Sequence, residues 1–193
     1  MKNIIIFGAP GSGKGTYSAE IKERYGMSHI STGEVLRAEI GRGTELGKTA
    51  AALIDKGQLV PDELIIKILA DIYDKQPMGQ GVIFDGFPRT IPQAEALKEM
   101  LAERGHDMGY MIELVVDEQT LMQRLLSRAA KEGRADDNED TIKARFDVYH
   151  QQTEPLIKWF EKEGMRHTFH WEGSKEKMLE GIFDFLDRMR DNG

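Results

Sequence analysis

Apolar residues along this chain gather in short runs separated by longer stretches of helical spacing. Ile4-Ile5-Ile6-Phe7, Val82-Ile83-Phe84 and Met111 to Val116 are almost unbroken apolar runs rich in branched residues. Runs of this length and character predict strands buried on both faces. Met27 to Ile30 and Met165 to Trp171 predict two weaker strands. Between them, Pro61-Asp62-Glu63 opens a helix with Leu64, Ile65, Ile68, Leu69 and Ile72 on one face, and Met178, Leu179, Ile182, Phe183, Leu186 and Met189 make a core-facing stripe near the end. Strands alternating with helices predict an α/β fold of three layers, a central parallel sheet flanked by helices, in which ligands sit beyond the carboxyl ends of the strands.

Two regions break this rhythm. Residues 31–60 read as a small helical insert interrupted by Gly41-Arg42-Gly43, and residues 127–137 are charged, contain Gly133 and lack an apolar period, as expected of a surface flap. No repeat or low-complexity tract is present. A chain of 193 residues can bury a substantial core, and the length predicts one domain carrying these inserts.

Composition narrows the function. The net charge of −7 argues against nonspecific attraction to nucleic acid or to an anionic membrane. No apolar run approaches membrane-spanning length, and the chain enters a strand at once, with no room for a signal peptide. There is no cysteine, which rules out disulfides and Cys-rich zinc sites and suits a cytoplasmic location. If such an acidic chain handles anions, its cations must be concentrated locally.

The candidate chemistry starts directly after the first strand, at Gly8-Ala9-Pro10-Gly11-Ser12-Gly13-Lys14-Gly15-Thr16. Glycines at this spacing let successive backbone N–H groups turn toward a polyphosphate, the next helix adds its positive N-terminal end, and Lys14 supplies a mobile charge. The generic phosphate-binding loop has Ser or Thr immediately after Lys. Here Gly15 intervenes, and Thr16 carries the hydroxyl.

Four further motifs accompany the loop: Ser31-Thr32-Gly33-Glu34 leading to Arg37; Asp85-Gly86-Phe87-Pro88-Arg89-Thr90 ending at Gln93; Arg124, Arg128, Arg134 and Arg145 around the flap; and Gly173-Ser174 after the last strand. In this order, covering nearly the whole chain, they resemble the nucleoside monophosphate kinases, and among them the adenylate kinases with a short lid. The combination of Gly13-Lys14-Gly15-Thr16, Gly86-Phe87-Pro88-Arg89 and Gly133-Arg134-Ala135-Asp136-Asp137-Asn138 is specific where no single piece is.

The resemblance implies reversible transfer of the terminal phosphate of MgATP to AMP, giving two ADP, by a monomer. It implies an acceptor-binding insert at 31–60, a lid at 127–137 and a core made of the rest. The donor would meet Gly11, Ser12, Gly13, Lys14, Gly15, Thr16, Arg124, Arg128 and Gly173. The acceptor would meet Thr32, Arg37, Gln58, Leu59, Val60, Gly86, Phe87, Pro88, Arg89, Gln93, Arg134 and Arg145. Lys14, Arg89, Arg128, Arg134 and Arg145 would surround the moving phosphoryl group, and Asp85 would orient magnesium through water. Zinc-bearing relatives have a longer, Cys-containing lid, so no zinc is expected.

Several of these residues have structural readings as well. Ser31 with Glu34 and Thr90 with Gln93 fit capping boxes, the arginines fit solvated surface charges, and Asp85 fits a cap or a partner for Lys14. His29, His106, His150, His167 and His170 read as structural or solvated. Two other functions remain open: a UMP/CMP kinase, disfavoured by Thr32 and Thr90 where those relatives tend to have Ala and Asn, and a nucleotide sensor without turnover.

Overall fold

The computed structural model describes residues 2–56, 58, 60–77, 79–133 and 138–191. Five parallel strands form one sheet: β1 (Ile4–Gly8), β2 (Ser28–Ser31), β3 (Val82–Asp85), β4 (Tyr110–Val115) and β5 (Arg166–His170), in the spatial order β2-β3-β1-β4-β5. The helices among the described residues are α1 (Lys14–Tyr25), α2 (Thr32–Gly41), α3 (Glu45–Ile54), α4 (Asp62–Asp74), α5 (Ile91–Ala102), α6 (Glu118–Glu132), α7 (Glu139–Val148), α8 (Leu156–Lys162) and α9 (Lys175–Asp191). A π-helical stretch, Tyr149–Thr153, joins α7 toward α8.

The apolar run of β1 divides its side chains between two layers. Ile5 and Phe7 belong to a core with Val82, Phe84 and Met111 under α4, α5 and α8, whereas Ile4 and Ile6 belong to a second core with Ile83, Ile112 and Leu114 under α1 and α9. Both faces are covered, so alternation disappears from the sequence and the strand reads as continuous hydrophobicity. Each such side chain contributes about 1.5–3 kcal/mol when fully buried. A third, smaller cluster of Leu121, Leu125, Ile142 and Phe146 ties α6 to α7 and touches Ala9 in the loop after β1.

One expected boundary shifts. Residues 127–132 are the last turns of α6, which Gly133 ends in a left-handed conformation. Arg128-Ala129-Ala130-Lys131-Glu132 are good helix formers, so the missing apolar period there reflects an exposed helix end. Arg134 to Asp137 and Leu59, all named above, lie outside the described residues.

The amino ends of the central strands are pinned by Asn3. Its buried side chain accepts from the Val82 N–H at 2.9 Å and donates to the Asp107 carbonyl at 2.7 Å, while its own carbonyl accepts from Tyr110 N–H at 3.1 Å. The chain passes so close at Gly109, with φ of 72°, that a Cβ there would lie 1.9 Å from the Asn3 carbonyl oxygen. Gly109→Ala therefore forces the β1–β4 ladder apart. The expected loss is at least about 2 kcal/mol, seen in a calorimetric scan as a Tm lower by about 4–8 °C.

Candidate active site

β1 and β3, adjacent in the sheet, release their chains side by side at the carboxyl edge, with Ile6 paired to Asp85. After β1 the loop curls back so that the Ser12 N–H donates to the Ala9 carbonyl at 3.0 Å. Gly13, with φ of 98°, caps α1 without any side-chain hydrogen bond, which leaves the first N–H groups of the helix for a ligand. Lys14 opens the helix and folds over its own loop, donating from Nζ to the carbonyls of Gly8 at 3.0 Å and Ala9 at 3.2 Å. Burial lowers its pKa to about 7; Asp85 opposes that shift, and Arg89, Arg145 and Arg128 add to it.

Arg89 follows the turn Gly86-Phe87-Pro88, whose Phe87–Pro88 bond is cis. Its Nε donates to the Gly86 carbonyl at 2.8 Å. Burial and the neighbouring Arg145 and Arg37 bring its pKa down to about 10, partly offset by Asp85, so it remains a cation at neutral pH. Asp85 is buried at the end of β3, and its Oδ2 lies 3.8 Å from where a side chain on Gly15 would begin. Thr32 Oγ1 donates to the Gly86 carbonyl at 3.0 Å, locking the start of α2 against this turn.

Two cavities open here. One is bounded by Gly8, Pro10 and Lys14 of the loop together with Tyr149 and Thr153 of the π-helical stretch. The other lies under the helical insert, between Thr32, Leu36, Arg37, Gln58, Val60, Phe87 and Gln93. Gly86, Arg89 and Arg145 line both, so these two arginines form the wall between them. Arg37 packs along Gly33, its guanidinium 3.2 Å from where a Cβ would stand. Arg128 also acts on Lys14, whereas Arg124 turns aside, its Nη1 3.4 and 3.3 Å from the carbonyls of Gly11 and Ser12. Gly173, exposed with φ of 82°, turns the chain after β5, and Thr16 is exposed on α1.

Some candidate side chains also have structural work. Gln93 is buried; its amide donates to Asp62 at 2.7 Å and its oxygen accepts the Arg89 N–H at 2.7 Å, so it ties α5 to the start of α4. Each proposed capping box forms its first half, with Ser31 Oγ accepting from Glu34 N–H at 3.3 Å and Thr90 Oγ1 from Gln93 N–H at 3.4 Å. Gln93 reaches Arg89 N–H rather than the Thr90 N–H a complete box requires. Asp85 pairs with neither a helix end nor Lys14 Nζ but with His29, whose Nε2 is 3.1 Å from Oδ2.

His29, read above as structural or solvated, has a specific partner that sequence spacing does not reveal. β2 and β3 run in register with Ser31 opposite Asp85, so His29, two places earlier, shares its face. The signal was there only for a reader who knew the pairing. Among the described residues no three His, Cys, Asp or Glu side chains converge as a metal site. A roomier cavity, about 670 Å3, lies at the opposite edge of the sheet around Asn3, Tyr73 and Arg104. Its polar groups satisfy one another: Tyr73 pairs with His106 at 2.8 Å and Arg104 with Asp74 at 2.5 and 2.8 Å.

Residues 6–165 match the family model described as adenylate kinase. The chain is 58% identical over 189 residues to the adenylate kinase of Bacteroides thetaiotaomicron, with 98% of this chain and 100% of the relative covered. It is 53% identical over 190 residues to that of Parabacteroides distasonis, covering 98% and 100%. For that of Porphyromonas gingivalis the identity is 48% over 190 residues, with 98% of each chain covered.

The low pKa of Lys14 has a sign in stability. The unfolded chain keeps this proton up to about 10.5, whereas the folded one releases it near 7, so the folded state gains on the unfolded as pH rises through that window. Against Lys14→Met, which lacks the titration, the Tm of the unaltered chain should climb between those limits and run parallel below them. A constant difference across the window would contradict the assignment.

Proposed function

The chain belongs to the adenylate kinase family, and we infer that it transfers the terminal phosphate of ATP to AMP, reversibly, giving two ADP. The observation that carries this reading is the shared wall: two cavities meet at Arg89 and Arg145, one of them bounded by the phosphate-binding loop and Lys14. In the forward reaction a phosphate oxygen of AMP forms the new bond to the γ-phosphorus of ATP. The bond from that phosphorus to the β,γ-bridging oxygen breaks, and the electron pair leaves on the ADP so released. This step needs alignment, dryness and positive charge more than covalent help.

Gly11, Ser12, Gly13, Lys14, Gly15 and Thr16 would hold the donor phosphates, with Arg124, Arg128 and Gly173 on the donor side. The second cavity would take AMP, with Arg37 and Arg89 gripping its phosphate in two-pronged hydrogen bonds. Thr32, Gln58, Leu59, Val60 and the Gly86-Phe87-Pro88 turn would enclose its base and sugar. Gln93 would contribute there too, by exchanging its bond to Asp62. Lys14, Arg89, Arg128, Arg134 and Arg145 would neutralise the equatorial oxygens as charge develops. Phosphates arriving at the loop reverse the electrostatics that drive the Lys14 proton off, so a bound donor restores that charge.

Magnesium characteristically keeps several waters and takes a carboxylate together with substrate phosphates. Asp85, buried at a strand end facing Gly15, fits that donor set, reaching the ion through water and held in place by His29. The ion would draw charge from the phosphate oxygens. Residues 31–60 would act as the acceptor-binding insert and 127–137 as the lid, around a core made of the remainder. A single chain carries both cavities, which supports action as a monomer. The lack of cysteine supports the cytoplasm, and among the described residues no helix is long and apolar enough to cross a membrane. The net charge of −7 speaks against nucleic acid as a partner.

Offering AMP, CMP and UMP separately with MgATP in a coupled ADP assay tests the reading. AMP should be phosphorylated well and the pyrimidines far less; a pyrimidine preference would point to a UMP/CMP kinase, and no ADP from any acceptor to a sensor. Lys14→Met should lower kcat by about 10²-fold or more. Arg145→Ala should raise KM for both nucleotides as well as lower kcat, because its side chain lines both cavities.

A further inference from the structure

Arg124 is held more closely than a surface arginine requires. Its guanidinium carbon lies 4.4 Å from the centre of the Trp171 ring, and Nη1 leans toward the carbonyls of Gly11 and Ser12 in the phosphate-binding loop. Trp171 is set by the sheet. Its N–H donates to the Val115 carbonyl at 2.8 Å, extending the β4–β5 ladder one residue beyond His170, and its ring packs against the core under α1 and α9. The indole thus stands at the carboxyl edge, beside the loop. It is on the β5 side of the sheet, whereas the insert follows β2 at the other edge.

A guanidinium is flat, and a neighbour covers only one of its faces. The indole lies against one face of Arg124, and the opposite face suits another planar group, since both guanidinium and purine stack on π systems. We propose that Trp171 positions the donor base: it backs Arg124 from the sheet side, so that Arg124 offers the purine of ATP a flat, charged platform next to the phosphate loop. This makes Trp171 a specificity-determining residue that works through Arg124. A pyrimidine covers less of the platform and gains less from it. The assignment rests on the donor-side reading above, but it concerns binding and needs no turnover.

Two measurements test it. The chain has two tryptophans. The other, Trp159, stacks edge-on with Phe160 under the opposite face of the sheet. In a Trp159→Phe background the emission of Trp171 should therefore change on addition of ATP alone, and much less with inorganic tripolyphosphate, which has the charge without the base. Equal responses, or none to ATP, would overturn the proposal whether or not the chain proves active. In steady state Trp171→Ala should raise KM for ATP by about three- to tenfold and reduce the preference for ATP over CTP in kcat/KM by a similar factor. KM for AMP should stay within about twofold, and Trp171→Phe should recover most of the loss. A variant that loses thermal stability while its ATP:CTP preference is unchanged would make Trp171 a packing residue and nothing more. Should Trp171→Ala not fold, Trp171→Phe and the emission titration decide the matter.

Discussion

Like charges forced together are the condition around which this molecule is built. Lys14, Arg37, Arg89, Arg128 and Arg145 act on one another across the carboxyl edge of the sheet, with Asp85 the carboxylate that opposes their effect. Burial first, and their repulsion in addition, pulls the Lys14 pKa to about 7 and the Arg89 pKa to about 10. The crowding is held by a backbone fixed by cores formed elsewhere, and on the proposed reading phosphate relieves it. The overall charge of −7 shows how local the arrangement is.

The sheet order explains how cations from distant parts of the sequence meet. β1 sits at the centre, so its loop is flanked by the turn after β3 on one side and approached by the helices that follow β4 on the other. Arg89 hangs on the first, Arg128 and Arg145 on the second. Because Arg89 and Arg145 border both cavities, filling either one changes the charge felt by the other. On the proposed reading this gives a physical route by which one nucleotide prepares the place of its partner.

Much of this was legible beforehand. The three central strands were readable from nearly unbroken apolar runs, since burial on both faces leaves no alternation to confuse them, β2 and β5 gave weaker signals, and the loop announced itself through Gly8, Gly13 and Lys14. The continuation of α6 through Glu132 was not, because an exposed helix end carries no apolar period. Nor were contacts that depend on pairing register or on neighbouring elements: His29 against Asp85, Asn3 across three strands, Trp171 behind Arg124. Gln93 illustrates the remaining difficulty. A side chain suited both to capping and to base recognition is engaged with Asp62 and Arg89 N–H, and sequence spacing does not distinguish these partners.

Among the described residues α6 and α7 share one small cluster of buried side chains, Leu121, Leu125, Ile142 and Phe146, apart from the two large cores. A seam that small costs far less to rearrange than either large core, so on the lid reading proposed above this pair is the part that would shift with the sheet left intact. Shifting it would loosen the hold on bound phosphates, which would let a molecule built to grip charge also let go of it.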